Sequence, residues 1–368
     1  MTWENLAIEE VELLALMLNN ATLNGKIQAN GSPSRTSEFK NYHAGSGGYI
    51  YIKCASPSVC DISNDVNANG GIGSDSDKSN AGSGGRIVFT SVHIKPEKYT
   101  VYGGCSNILT SSNYNGAAGT VYFTDSKKLI IKHTTKCLAS MRTVVDPVEI
   151  SKVDSCEVID QATLTFSNKK IKRNKMNVEI QSLSLVNSTL ANPISGNGKD
   201  LGKMNIVVKE DLLIENSTLA NIAVSLSINA KYLNLTKTSI IKYHEILSLN
   251  VTGYFNISGL ISPNQQMING VSPSIQEKRD QPSSVVYIYA GNTTESENHT
   301  NTISEGSPEF VFEETSRVNG YFIMLFTDKN ITIKGTFENT VEKDDGEKVI
   351  IESCRYSKIL SLIVIYCF

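Results

Sequence analysis

At 368 residues the chain is long enough for two or three ordinary domains, or for one extended repeat domain. Charged residues make up only 19% against 40% hydrophobic, which excludes a disordered polyelectrolyte. With 34 basic and 37 acidic side chains the net charge is −3, so there is no electrostatic footprint for nucleic acid or an anionic membrane.

Residues 1–23 form an N-terminal segment. Met1 to Glu12 carries four glutamates and neither Lys nor Arg, so it lacks the basic region that opens a signal peptide. Trp3, Ala7, Val11, Leu14 and Leu18 fit one face of a helix, while Val11 to Leu18 reads equally well as a buried strand. A short N-terminal helix or a first strand is predicted here.

Residues 24–125 are a glycine-rich repeat section. Ala44-Gly45-Ser46-Gly47-Gly48 precedes Tyr49-Ile50-Tyr51-Ile52, Ala81-Gly82-Ser83-Gly84-Gly85 precedes Arg86-Ile87-Val88-Phe89, and Gly116-Ala117-Ala118-Gly119 precedes Thr120-Val121-Tyr122-Phe123. The last glycine before each strand recurs after 37 and then 34 residues. Such a period is that of stacked coils, in which a short β-branched or aromatic strand follows a turn that glycine's backbone freedom permits. One coil cannot bury its apolar face alone, and stacking supplies a continuous core.

Residues 126–290 repeat at a shorter period and are predicted as rungs of the same kind. Asn187-Ser188-Thr189-Leu190-Ala191-Asn192 recurs unchanged 29 residues later, beginning at Asn216. Alternation such as Leu183-x-Leu185 and Leu212-x-Ile214 places one side chain inward and the next outward. Equivalent positions then stack about 4.8 Å apart, with Leu185 on Ile214 and Leu190 on Leu219, and with Glu215 outward. The basic run from Asn168 to Met176, the polar stretch 291–307 and the charged run Glu342 to Lys348 read as solvated loops, the second as an exposed insertion. Residues 308–368 supply C-terminal strands and an apolar tail, too short to span a bilayer as a helix. Both ends read as cut edges of a longer secreted or membrane protein.

None of the seven cysteines forms a Cys-x-x-Cys pair, so zinc-ribbon and dithiol redox chemistry find no support. The most local candidate bridges are Cys54–Cys60 and Cys137–Cys156, with buried free thiols as the alternative. Ten sequons, at Asn20, Asn30, Asn187, Asn216, Asn234, Asn250, Asn256, Asn292, Asn298 and Asn330, are candidate N-glycosylation sites and point toward the secretory pathway, the alternative being compositional accident in an Asn-rich chain. No catalytic, cofactor-binding or metal-binding residue is predicted. Asp65-Val66-Asn67-Ala68-Asn69-Gly70 matches half of a calcium loop, but Ser76 stands where the bidentate Glu belongs. The five histidines are scattered, and no paired carboxylates of a polysaccharide-cleaving enzyme share a strand.

Ala68-Asn69-Gly70-Gly71, a polar loop and Gly82-Ser83-Gly84-Gly85-Arg86-Ile87-Val88-Phe89 resemble the large glycine-rich β-solenoid surface proteins of protists, plants and some bacteria. The likeness covers roughly residues 20–125 and is carried by short motifs. It is also similar to the Gly-Gly-Ala-Ile repeats of adhesin-like polymorphic membrane proteins, although the chain has neither that tetrapeptide nor a Phe-x-x-Asn. The resemblance implies an extracellular or surface-exposed solenoid, with no active site to carry over. The expectation is an all-β chain forming a right-handed parallel β-helix, a structural or adhesive module at the cell surface or outside the cell. Its partners would be carbohydrate or other surface proteins. A β-helix lyase or hydrolase acting on polysaccharide, or a cytosolic scaffold with unused sequons, are the alternatives.

Overall fold

The computed structural model describes residues 6–7, 13–18, 25–34, 36–37, 40–41, 43–55, 59–73, 80–106, 115–134, 137, 141–167, 175–191, 202–220, 223, 225–263, 285–290, 310–319, 322–327, 331–342, 348–351, 354–359 and 362–367. Strands dominate them. The helical pieces among the described residues are the four-residue helix Pro147–Ile150 and the three-residue 3-10 turn Pro96–Lys98. None is long and apolar enough to cross a membrane. The chain divides into two units, residues 1–145, 152–165 and 185–190 in the first and residues 146–151, 166–184 and 191–368 in the second.

In the first unit Leu13–Leu18, Tyr49–Cys54, Arg86–Thr90 and Gly119–Phe123 pair side by side, all parallel. Leu14 lies opposite Ile50, Ile50 opposite Ile87 and Ile87 opposite Val121, at sequence spacings of 36, 37 and 34 residues. Each glycine-rich repeat thus contributes one strand. Alternation does the rest: those four side chains are buried, while Tyr49 and Thr120 are half-buried and Arg86 is exposed on the other face. Leu13–Leu18 is the first member of this series, which corrects the helical option over those residues. Its burial alternates with period 2, with Leu14 and Leu18 inward and Leu13 and Met17 exposed. Hydrogen bonding to a strand 36 residues away prevails over the local 3.6-residue pattern.

Two shorter parallel strips belong to the same unit. One joins Leu6–Ala7, Ile27–Gln28, Val66–Asn67 and Tyr99–Thr100, the other Cys60–Ile62 and Val92–Ile94. The chain then reverses: Lys128–Lys132 pairs antiparallel with Gly119–Phe123 and parallel with Ser155–Ile159.

The glycine segments between strands are bonded from repeat to repeat. The Gly71 N–H donates to the Gly45 carbonyl, Gly82 to Gly71, Gly104 to Gly82 and Gly116 to Gly104, all at 2.8–3.0 Å. A Cβ on Gly82 would overlap the Gly45 carbonyl oxygen, and one on Gly71 would overlap that of Ser32. Neither glycine has a left-handed φ. Glycine is therefore required for backbone-on-backbone approach, and not for the turn freedom expected from sequence.

Cys54 and Cys60 form a disulfide across six residues. Cys137 bonds to Cys105 instead of Cys156, a separation of 32 residues. Cys156 is a buried free thiol because it occupies an inward position on Ser155–Ile159, whose side chains alternate in and out.

The second unit stacks longer strands. Lys175–Ile180, Lys203–Glu215, Ser225–Leu235, Ile246–Ile257, Val285–Ala290 and Phe322–Thr327 pair in parallel. Met204, Leu226, Leu247, Val286 and Ile323 form one buried row, each opposite the next. A second strip runs through Thr218–Ala220, Ile240–Tyr243, Leu260–Pro263, Arg317–Asn319 and Thr336–Glu342. An antiparallel hairpin, Cys354–Ile359 with Leu362–Cys367, pairs onto Phe322–Thr327.

The repeated hexapeptide marks a corner. Asn187 and Asn216 adopt left-handed φ values of 49° and 46°, which Asn tolerates better than most residues. Ser188 and Ser217 behind them are buried, and Thr189 and Thr218 begin the next strand. Leu185, Leu190, Ile214 and Leu219 are all buried and Glu215 is exposed, as the alternation predicts. Leu185 and Leu190 fall in the first unit. Within the second, Ile214 lies opposite Leu235 and Leu219 opposite Ile241. The basic run at 168–174, the insertion at 291–307 and the loop at 343–347 lie outside the described residues.

Candidate functional site

The first unit carries an open cleft over its glycine segments. Gly31, Gly45 and Gly84 line it together with Asn30, Tyr49, Arg86, Thr120 and Thr143. Strand register puts Tyr49 directly beside Arg86, and Arg86 beside Thr120. The Thr143 hydroxyl donates to the Ala118 carbonyl at 2.7 Å, and Asn30 Oδ1 accepts from the Asn69 N–H at 2.8 Å. The described lining holds a single charged group, the Arg86 guanidinium. Hydroxyls, amides, a phenol ring and one cation can hold a polar ligand. They supply no acid–base pair for cleavage.

The described histidines lie outside this cleft. His133 is fully buried, with Nε2 3.0 Å from the Gly116 carbonyl and Nδ1 accepting from the Thr134 N–H at 2.7 Å, so the neutral ring is satisfied. Burial holds its pKa below the usual histidine value. His43 Nδ1 accepts from the Asn80 N–H, and exposed His93 stands 3.6 Å from Asp61. His299 lies outside the described residues. The oxygens of the half calcium loop bind neighbouring repeats: Asp65 pairs with Lys98 at 3.4 Å, Asn67 Oδ1 accepts from the Thr100 hydroxyl, and Asn69 Oδ1 accepts from the Tyr102 N–H. Among the described residues no three His, Cys, Asp or Glu side chains gather as a metal site would require.

No protein-family model, curated protein or solved structure matches the chain.

The outward face of the second unit is polar and aromatic. Asn250 Nδ2 donates to Asn229 Oδ1 at 3.3 Å, and Asn229 Nδ2 donates to Asn205 Oδ1 at 2.8 Å, forming an amide row across three strands. Tyr287 and Tyr289 follow on the next strand, opposite Ser248 and Asn250. Beside a bulge between Ala230 and Tyr232, the ring centroids of Tyr232 and Tyr254 lie 4.7 Å apart, with the planes tilted by 34°. Sequence reasoning does not find these groupings. The tyrosine pair leaves a trace in the recurrence of Tyr-x-Asn-x-Ser/Thr after 22 residues.

The sequons separate by environment. Asn30, Asn187, Asn216 and Asn234 are exposed, whereas Asn250 and Asn256 are half-buried. Asn250 is tied into the amide row, and Asn256 Oδ1 accepts from the Ser258 hydroxyl at 3.4 Å. Asn20, Asn292, Asn298 and Asn330 lie outside the described residues.

Proposed function

We propose that the chain is a non-enzymatic structural or adhesive module, a right-handed parallel β-solenoid that works at the cell surface or outside the cell. The observation that carries this reading is the in-register parallel pairing of successive repeats, each adding a buried apolar residue to the row of the last. Such stacking builds length from short units and presents a long ordered face. Two disulfides and four exposed sequons support an oxidising compartment. The resemblance to glycine-rich surface solenoids supports the same reading. Its ligand would be a carbohydrate or another surface protein, and the Tyr49–Arg86 cleft suits a sugar that carries hydroxyls or a carboxylate.

The test is binding without turnover. Protein secreted from a eukaryotic host is immobilised and offered to a glycan panel and to intact cells. Saturable binding that Arg86→Ala weakens at least several-fold is expected. Release of reducing sugar or unsaturated oligosaccharide would establish the polysaccharide-cleaving enzyme instead. Unmodified sequons with reduced cysteines would establish the cytosolic scaffold.

A further inference from the structure

Tyr232-Leu233-Asn234-Leu235-Thr236 and Tyr254-Phe255-Asn256-Ile257-Ser258 have the same pattern and lie in direct register, Tyr232 opposite Tyr254 and Asn234 opposite Asn256. Leu233, Leu235, Phe255 and Ile257 are buried, so each tyrosine and the asparagine two residues on share the outward face. Along a strand those two positions are about 6.6 Å apart. The two ring centroids lie 4.7 Å apart with the planes tilted by 34°, and Tyr254 is 43% exposed. The Lys231 ammonium stands 4.9 Å from the Tyr232 ring and pairs with Glu210 at 2.8 Å. A Cβ on Gly253 would strike the Tyr232 ring, so this glycine leaves the ring its place. The result is a held aromatic platform beside two N-glycosylation sequons.

We propose that Asn234 carries an N-linked glycan whose first N-acetylglucosamine seats on the Tyr232–Tyr254 pair, and that Asn256 stays unmodified. This rests on the secretory reading above. The polarised C–H bonds on one face of a pyranose ring meet the electron-rich face of a phenol ring favourably, and that contact removes apolar surface from water. Neighbouring strands are about 4.8 Å apart, too close for two sugar rings to leave side by side. Exposure decides between the two: Asn234 is exposed, while Asn256 is half-buried and hydrogen-bonded to Ser258. In the transfer, Asn234 Nδ2 forms a bond to C1 of N-acetylglucosamine and loses one proton. The bond from C1 to a lipid-linked pyrophosphate breaks, and the lipid pyrophosphate leaves with the electron pair. The donor is a lipid-pyrophosphate oligosaccharide, and the asparagine that the paired strands leave exposed is the one that receives it.

The experiment uses the full chain secreted from a eukaryotic host. Intact-glycopeptide mass spectrometry is expected to find Asn234 occupied and Asn256 empty. Asn234→Gln is expected to lower Tm by about 2 °C or more in the parent protein, and to leave Tm unchanged in a Tyr254→Ala background. An enzyme that trims the glycan to its first sugar is expected to leave Tm where it was. Occupied Asn256 with empty Asn234, or an equal Tm loss in both backgrounds, overturns the inference. Glycans on Asn187 and Asn216 with none on Asn234 overturn it while leaving the secretory reading intact. A protein with no glycan at all overturns both.

Discussion

Replacing Gly82 with alanine separates two roles that glycine can play in these repeats. Where φ is ordinary and space is free, Gly→Ala reduces the freedom of the unfolded chain and stabilises by about 0.4–1 kcal/mol. At Gly82 φ is not left-handed, but the added Cβ would overlap the Gly45 carbonyl oxygen. That oxygen accepts the Gly71 N–H at 2.9 Å, and Gly82 itself links Gly71 and Gly104 through its N–H and carbonyl. Moving backbone aside to admit a methyl group costs about 1–3 kcal/mol. Lengthening one or two inter-repeat hydrogen bonds adds about 0.5–1.5 kcal/mol each. The expected loss is about 2–5 kcal/mol, measured by denaturant unfolding followed by far-ultraviolet circular dichroism. Ser46→Ala, on an exposed side chain next to Gly45 in the preceding repeat, should stay within about 0.5 kcal/mol. A Gly82→Ala protein as stable as the parent, or more stable, would refute the close-approach argument.

Other substitutions probe the core, the bridges and the free thiol. Ile214→Ala should cost about 2–5 kcal/mol in chemical unfolding, because its fully buried side chain packs in the row with Leu235 and Ile257 and leaves a cavity, whereas Glu215→Ala should be near neutral; equal losses would contradict the inward–outward assignment. Cys105→Ala/Cys137→Ala should destabilise more than Cys54→Ala/Cys60→Ala, about 3.5 against about 2 kcal/mol in the loop-closure model, since the first bridge spans 32 residues and the second six; unfolding midpoints in the reverse order would sink that account. Burial, with a smaller contribution from the Glu157 carboxylate, pushes the Cys156 thiol up to about 12 from 9.0. The unfolded chain then loses this proton first, so the thiol's contribution to stability is complete below about pH 9 and declines between about pH 9 and 12. Cys156→Ala should flatten the stability–pH curve over that interval, and an unchanged slope would count against a buried neutral thiol.

Alternation and repetition are local properties, and they are legible in the chain alone. A side-chain period of two assigns Ile214 inward and Glu215 outward from six or seven residues of sequence. Recurrence of Gly48, Gly85 and Gly119 marks three strands of the first unit, and ten sequons can be read directly. The tertiary structure decided which segments meet. Leu13–Leu18 became a strand because Tyr49–Cys54 supplies its hydrogen bonds from 36 residues away. Cys137 met Cys105, and Cys156 turned inward. Glycine's role changed from turning the chain to admitting a neighbouring backbone, which only the stacked repeats impose. The Tyr232–Tyr254 platform likewise exists only once two strands are aligned past a bulge. The physical reason is that a local pattern chooses the apolar face, while register depends on closing loops of unequal length. Spacings of 22, 21, 39 and 37 residues along one buried row of the second unit are not written in any short window of the chain.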